Sequence, residues 1–365
     1  MTVPHRLERL RAALSERGLD AAVAAGTEPV DHLCGYWRYF GSPPAFVLDR
    51  SGETTLVVQS DEADEARRGG FADRIAAYGA RGFGLVPDQL PLLLDALVAL
   101  PVVAGGARIG VAGGGARLAA SLAERIPGAV EGLDEELAAI ALVKDRDELE
   151  RIADAYALAW TGQRAVRDAY RSGISEIELF TAGLAAAQNA AGEPIAFAGD
   201  LLCGSRTAEV CAPVRVAGRA PVGDGDVVIA DLVVGRGGYF GDTADTVAPD
   251  GTEAAAVREE LLQILERSSR QLVPGATGDD LFRAMHDAIT DAFPEGEFPH
   301  HGGHGVGLTP FEDPHVIPGD RTPFAPGMVM ALEPGVYFPG RFGVRVEGMY
   351  VVGEDGAAEI AKERS

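Results

Sequence analysis

Two stretches of the chain carry paired acids about a glycine-rich turn, and a glycine–histidine run lies between them. The first, D-L-V-V-G-R-G-G-Y-F-G-D, runs from Asp231 to Asp242. A turn centred on Arg236 and Gly237 would set Asp231 directly opposite Asp242. Directly opposed residues hold their Cβ atoms about 4.5–5.5 Å apart, and like charges there destabilise the pair. A folded chain tolerates this if one acid is protonated or a cation sits between the two. The second stretch, E-P-G-V-Y-F-P-G-R-F-G-V-R-V-E, runs from Glu333 to Glu347, with Pro339, Gly340 and Arg341 as its turn. The same symmetry sets Glu333 opposite Glu347. Between them H-H-G-G-H-G-V-G, His300 to Gly307, offers glycines for close backbone approach and histidines as potential ligands. Four carboxylates and one imidazole can bind two divalent cations, which in hydrolytic sites lie about 3.5–4 Å apart. Either acid pair alone could be a solvated hairpin edge. The apolar runs V-V-I-A before Asp231 and V-M-A-L before Glu333 argue instead for buried strands that share one site.

The elements around these residues follow from periodicity. Leu7, Leu10 and Leu14 share one face of a helix over 6–17, which Gly18 stops. Strands are predicted at Ala21 to Ala25, Ala45 to Leu48, Thr55 to Val58 and Arg108 to Ala112, with helices over 61–68, 89–100 and 116–125. Strands alternating with helices imply an α/β domain. The run Gly110 to Arg117 lacks the G-x-G-x-x-G spacing of a nucleotide-binding loop and reads as a strand-to-helix turn. The domain boundary is expected near Pro127 to Glu131, giving domains over 1–131 and 132–365. Helices are expected over 133–142 and 146–171, from a capping-box-like S-E-I-E at 175–178, and near 253–271 and 279–292.

The formal charge of -23 argues against nucleic acid and anionic membranes as partners. The N-terminal residues lack an apolar signal core, and no apolar run is long enough to span a bilayer. Cys34, Cys203 and Cys211 are dispersed and odd in number, which suggests a reducing, cytoplasmic setting.

The motif set resembles the pita-bread metallopeptidases, the group of aminopeptidase P, Xaa-Pro dipeptidase and creatinase. The residues that carry the resemblance are Asp231, Asp242, His304 in G-H-G-V-G, Glu333 in E-P-G and Glu347 in V-R-V-E. The N-terminal R-L-x-x-L-R…G-L-D-A and D-H-L-C-G-Y are similar to the small domain of the same group. The resemblance implies an α+β chain: a pita-bread C-terminal catalytic domain and a smaller α/β creatinase-like N-terminal domain. It implies two divalent metal ions held by Asp231, Asp242, His304, Glu333 and Glu347. Oxygen-rich donors with one imidazole suit Mn²⁺, with Co²⁺, Fe²⁺ or Zn²⁺ as alternatives. A metal-bridging hydroxide would attack the carbonyl, Glu333 would shuttle the proton, and His300 would stabilise the oxyanion. The implied substrate is a short Xaa-Pro peptide or small amide. The implied assembly is a homodimer in which Trp37, Arg38 and Tyr39 of one chain line the other's site. Arg345 matches a family arginine near the substrate.

The sequence departs from the family at three places. Phe311 stands where the peptidases carry a histidine, Cys211 or a neighbour replaces another, and Asp245 takes the place of an arginine. Phe311 and Cys211 are therefore read as pocket walls, and His315 could approach from the Phe311 loop. His301 is read as structural or exposed. The altered shell favours a second reading, a small-molecule C–N hydrolase or lyase on the creatinase-type scaffold; a third, a non-catalytic binding protein of this fold, would be marked by loss of ligand residues, and all five are present.

Overall fold

The structure, a computed structural model, describes residues 5–38, 41–83, 88–209 and 216–360. The N-terminal strands are β1 (Ala21–Ala25), β2 (Ala45–Asp49), β3 (Thr54–Gln59), β4 (Arg74–Tyr78), β5 (Ile109–Gly113) and β6 (Val130–Gly132). They form one sheet in the order β4-β3-β2-β1-β5-β6. The helices between and around them are α1 (His5–Arg17), α2 (Thr27–Cys34), α3 (Ala63–Gly69), α4 (Leu90–Val98), α5 (Pro101–Ala104), α6 (Gly115–Arg125) and α7 (Asp134–Leu142). Side chains alternate across a strand, so β1 feeds two cores. Ala22 and Ala24 pack with Leu10 and Leu14 of α1. Val23 packs with Leu97 of α4 and Leu122 of α6. Central strands buried on both faces read as continuous apolar runs, which is why A-A-V-A-A could be recognised. The glycine run after β5 is a turn into α6, with positive φ at Gly113, Gly114 and Gly115.

The chain divides into compact units at Ala141/Leu142, later than the expected boundary near 131. The reason is α7: Leu137 and Ile140 are buried in the first unit's core. Nothing in composition separates α7 from the helix that follows.

The second unit opens with α8 (Arg146–Ala169) and α9 (Glu176–Ala191). Glu178 accepts from the Ser175 backbone N–H at 2.9 Å, closing the capping box that starts α9. Strands β7 (Ala196–Cys203), β8 (Val228–Arg236) and β9 (Tyr239–Val247) form one sheet. α10 (Glu253–Ser269) and α11 (Gly278–Ala292) follow. Then come β10 (Gly303–Gly305), β11 (Glu312–His315), β12 (Val329–Leu332), β13 (Gly335–Phe338), β14 (Phe342–Arg345), β15 (Gly348–Gly353) and β16 (Gly356–Glu359). The order β11-β10-β12-β15-β16 makes a second sheet, and β13 and β14 make a hairpin. Helix α8 lies close on β9: a Cβ on Gly241 would come within 2.2 Å of the Tyr156 nitrogen. Gln163 of α8 donates to the carbonyls of Ala230 at 2.8 Å and Thr243 at 3.1 Å. A buried amide thereby ties the helix to the hairpin beside both aspartates.

The first hairpin turns later than expected. Arg236 pairs with Tyr239, so Gly237 and Gly238 form the turn, with φ of 55° and 82°. Two positive φ values define the type I′ turn that suits strand twist. Asp242 therefore faces Val233, and Asp231 faces Ala244. The direct Asp231–Asp242 opposition does not occur. Asp231 and Val233 share a face, so the two aspartates are diagonal neighbours on it. In the second hairpin, Leu332 pairs with Gly348 and Gly335 with Arg345. Both pairings keep the register that sets Glu333 across from Glu347.

Candidate metal centre

Five of the expected residues line one cavity of about 510 Å³ in the second unit: Asp231, Asp242, His304, Glu333 and Glu347. Backbone bonds bring their strands together. The Glu347 N–H donates to the Ala244 carbonyl at 2.8 Å, and the Glu333 N–H to the Gly302 carbonyl at 3.0 Å. His304 sits on β10 opposite Ala331. Gly303 precedes it with φ of 153°, and a Cβ there would lie 2.1 Å from the Ala331 oxygen. Only glycine permits that approach, which explains the glycines around the histidine.

One ligand atom from each of Asp242, His304 and Glu347 can be chosen so that all lie within 4.8 Å of one another. His304 Nε2 stands 3.4 Å from Glu333 Oε1 and 3.9 Å from Asp242 Oδ2. Its Nδ1 lies 3.0 Å from the Gly305 carbonyl. A carbonyl only accepts, so Nδ1 carries a proton and Nε2 faces the acids, as metal-ligating histidines are oriented. Asp242 Oδ1 is buried with no hydrogen-bond partner. Oxygen donors with one imidazole, and a buried carboxylate oxygen left over, fit a divalent cation.

The charges respond to this crowding. Burial, then Asp231 beside it, pushes Asp242 well above the usual carboxylate range. Burial, then Asp242 and Asp231, does the same to Glu347. Burial raises Asp231 to about 6, with Arg345 opposing the rise. For His304, burial opposes the charged ring, yet Glu333 and Asp242 outweigh it and lift the group to about 9. For Glu333, burial opposes the charged form, yet the hydrogen bond from His304 and the charge beside it outweigh burial and hold the group well below the carboxylate range. The buried negative charge is thus balanced by protons that a cation would displace.

Around the ligands, Arg345 donates through Nη1 to Asp231 Oδ2 at 2.5 Å and through Nε to the Tyr337 hydroxyl at 2.8 Å. That hydroxyl lies 2.9 Å from His300 Nε2, while His300 Nδ1 lies 2.7 Å from the His301 carbonyl. Nδ1 therefore donates, and Nε2 accepts from Tyr337. Burial, aided by Arg345, holds His300 down at about 4, so the ring is neutral. In this pairing Nε2 of His300 is engaged with the Tyr337 hydroxyl, and the ring lines the cavity.

The other expected residues divide. Phe311 is 54% exposed, lines the cavity and packs on His304 with ring centroids 4.5 Å apart. Its loop is held by Lys144, whose Nζ bonds Glu312 at 2.7 Å. His315 pairs with His304 across β10 and β11. Its ring bonds Asp313 at 3.1 Å, and it is not among the cavity-lining residues. Trp37 is half-buried in the first unit, where Arg38 pairs with Glu65 at 2.6 Å. Cys211 and Tyr39 lie outside the described residues. Asp245, in the arginine's place, is gripped by Arg258 at 2.7 and 2.8 Å and by Arg167 at 2.8 Å.

Sequence reasoning missed three residues. His301 lines the cavity, with Nδ1 3.5 Å from Glu333 Oε1. Tyr337 joins Arg345 to His300. Asp200 lines the cavity from β7, directly across from Asp231. His301, read from the sequence as structural or exposed, instead faces the cavity beside Glu333. Asp200 carries no signal without knowledge of which strand borders β8.

Comparison with known proteins gives consistent matches. The family model for metallopeptidase family M24 matches residues 150–354, and that for the creatinase/prolidase N-terminal domain matches residues 6–140. The chain is 27% identical over 372 residues to the putative dipeptidase YkvY of Bacillus subtilis, covering 98% of each. It is 35% identical over 142 residues to the probable dipeptidase PepE of Mycobacterium tuberculosis, an alignment that spans 37% of PepE. The fold matches that of an Xaa-Pro dipeptidase from Bacillus anthracis with a TM-score of 0.80 at 22% identity, over 98% of this chain and 97% of that one.

Proposed function

Because the chain belongs to metallopeptidase family M24, we propose that it is a metal-dependent hydrolase of short peptides, with Xaa-Pro dipeptides or peptides with proline second as first candidates. The observation that carries this reading is the convergence of Asp242, His304 and Glu347, with Asp242 Oδ1 buried and unpartnered. Asp231, Asp242, His304, Glu333 and Glu347 would hold two divalent cations, Mn²⁺ first among them. When bound, the cations supply Lewis acidity that activates water and polarises a carbonyl.

The chain's own groups do the rest. Glu333, kept ionised by the histidines around it, takes the proton of the attacking water on its carboxylate and passes it to the leaving nitrogen. Arg345 pairs with Asp231 and is itself held through Nε by the Tyr337 hydroxyl. Phe311 and Phe240 supply apolar surface to the cavity wall. We further propose a cytoplasmic homodimer in which Trp37, Arg38 and Tyr39 contribute to substrate contact.

A second reading, a small-molecule C–N hydrolase or lyase, is favoured by Phe311 on His304, since the phenyl ring can neither donate nor accept a hydrogen bond to a peptide backbone. A panel of Xaa-Pro peptides and small amides, each with and without Mn²⁺, tests both. Metal-dependent cleavage of the peptides supports the first reading. Cleavage confined to the amides supports the second, and a wild type that binds no metal and cleaves nothing refutes both.

A further inference from the structure

Asp200 and Asp231 are directly paired residues on β7 and β8. Both line the cavity, and Asp200 is 5% exposed. Two acids in that relation repel, and burying them in an apolar wall costs more unless a cation is near. Arg345 is that cation. One of its nitrogens, Nη1, stands 2.5 Å from Asp231 Oδ2 and 3.8 Å from Asp200 Oδ2, while Nε is fixed on Tyr337. The guanidinium therefore lies between two carboxylates and leans on one.

That lean conflicts with metal uptake. A cation bound to Asp231 competes with Arg345 for the same carboxylate and repels the guanidinium. Removing a buried charge from its partner is costly when nothing replaces the partner. Asp200 Oδ2 is the replacement, reached by a shift of about an ångström at Nη1 with Nε still on Tyr337, since charge-assisted N–H···O bonds close at about 2.7–2.9 Å.

We propose that Asp200 is a positioning residue of the metal centre: it takes over the guanidinium of Arg345, so that Asp231 can give its oxygens to a cation. It acts through Arg345 and touches neither substrate nor the reacting atoms. The inference rests on the metal reading above.

Calorimetric Mn²⁺ titration of the full chain tests it without relying on turnover. Asp200→Asn should weaken Mn²⁺ binding about 10–100-fold, the usual cost of losing an outer-sphere partner. Asp200→Glu, which keeps the charge, should recover most of the affinity. In an Arg345→Gln background the Asp200→Asn effect should vanish, because no guanidinium remains to be received. A role in folding alone would lower the melting temperature of the metal-free variant and leave affinity unchanged, which overturns the proposal. A loss of affinity that persists with Arg345→Gln also overturns it, because Asp200 would then act without the arginine. Should Asp200→Asn not fold, Arg345→Gln alone decides. With the competitor gone it should bind Mn²⁺ at least as tightly as the wild type, and weaker binding refutes the idea. A wild type that takes up no Mn²⁺ overturns this inference and the metal reading together, whereas a wild type that binds while Asp200→Asn is unaltered overturns this inference alone.

Discussion

At the scale of single residues, Asp242 and Phe311 make opposite statements about the site. Asp242 has a buried Oδ1 with no hydrogen-bond partner, as the proposed cation would require. Asp242→Asn removes the charge and keeps the shape. It should weaken Mn²⁺ binding by more than the roughly 10–100-fold of an outer-sphere change, as read by calorimetry. Phe311 is a large apolar ring held against His304, a proposed ligand, where the family resemblance leads one to expect a histidine. Restoring one well-placed donor is worth on the order of 10²–10³ in rate. Phe311→His should therefore raise kcat/KM on Xaa-Pro peptides towards that range. Efficient cleavage by the wild type, unchanged in the variant, would mean that the missing imidazole is irrelevant here.

At the scale of elements, the five acid and imidazole positions were legible because each lies beside an apolar strand or a glycine that has to be there. Glu333 and Glu347 fall opposite each other because the turn at Gly340, with φ of 74°, is where the sequence places it. The first hairpin was misjudged because Gly235, Gly237 and Gly238 offer several turns. Strand twist selects the one with two positive φ values, which moves Asp242 across from Val233. Asp200 is illegible for another reason: a pairing between strands distant in sequence leaves no local trace. Gly303 gives a sharp test of the element that carries His304. Gly303→Ala forces a Cβ against the Ala331 oxygen at a φ that costs a non-glycine residue about 1–3 kcal/mol. Differential scanning calorimetry should show a lower melting temperature, and an unchanged one would mean β10 and β12 sit further apart than described.

At the scale of the whole molecule, metal uptake should be coupled to protons. His304 is lifted to about 9, and Asp242 and Glu347 well above their ordinary values. At pH 7 the His304 ring holds a proton that a cation must displace, and the raised carboxylates favour proton release in the same direction. Adding Mn²⁺ should then release protons, and apparent affinity should rise with pH until His304 loses its proton near 9. Titration in buffers of different ionisation enthalpy measures the release, and none at all would contradict the arrangement. Saturation should also raise the melting temperature, with about 2.7 kcal/mol of added stability at a hundredfold excess over Kd. Light scattering tests the homodimer, for which a monomer with full activity is the refuting result.

The acid pairs belong to separate hairpins, and α10 and α11 lie between them in the sequence. A chain emerging from the ribosome therefore displays Asp231 and Asp242 well before it can supply His304, Glu333 or Glu347. Two acids on one hairpin are a poor chelator, so an ion met during synthesis is not retained. On the metal reading proposed above, the choice of ion would fall to the finished site, and expression in media of different metal content should yield the same fold with different cargo.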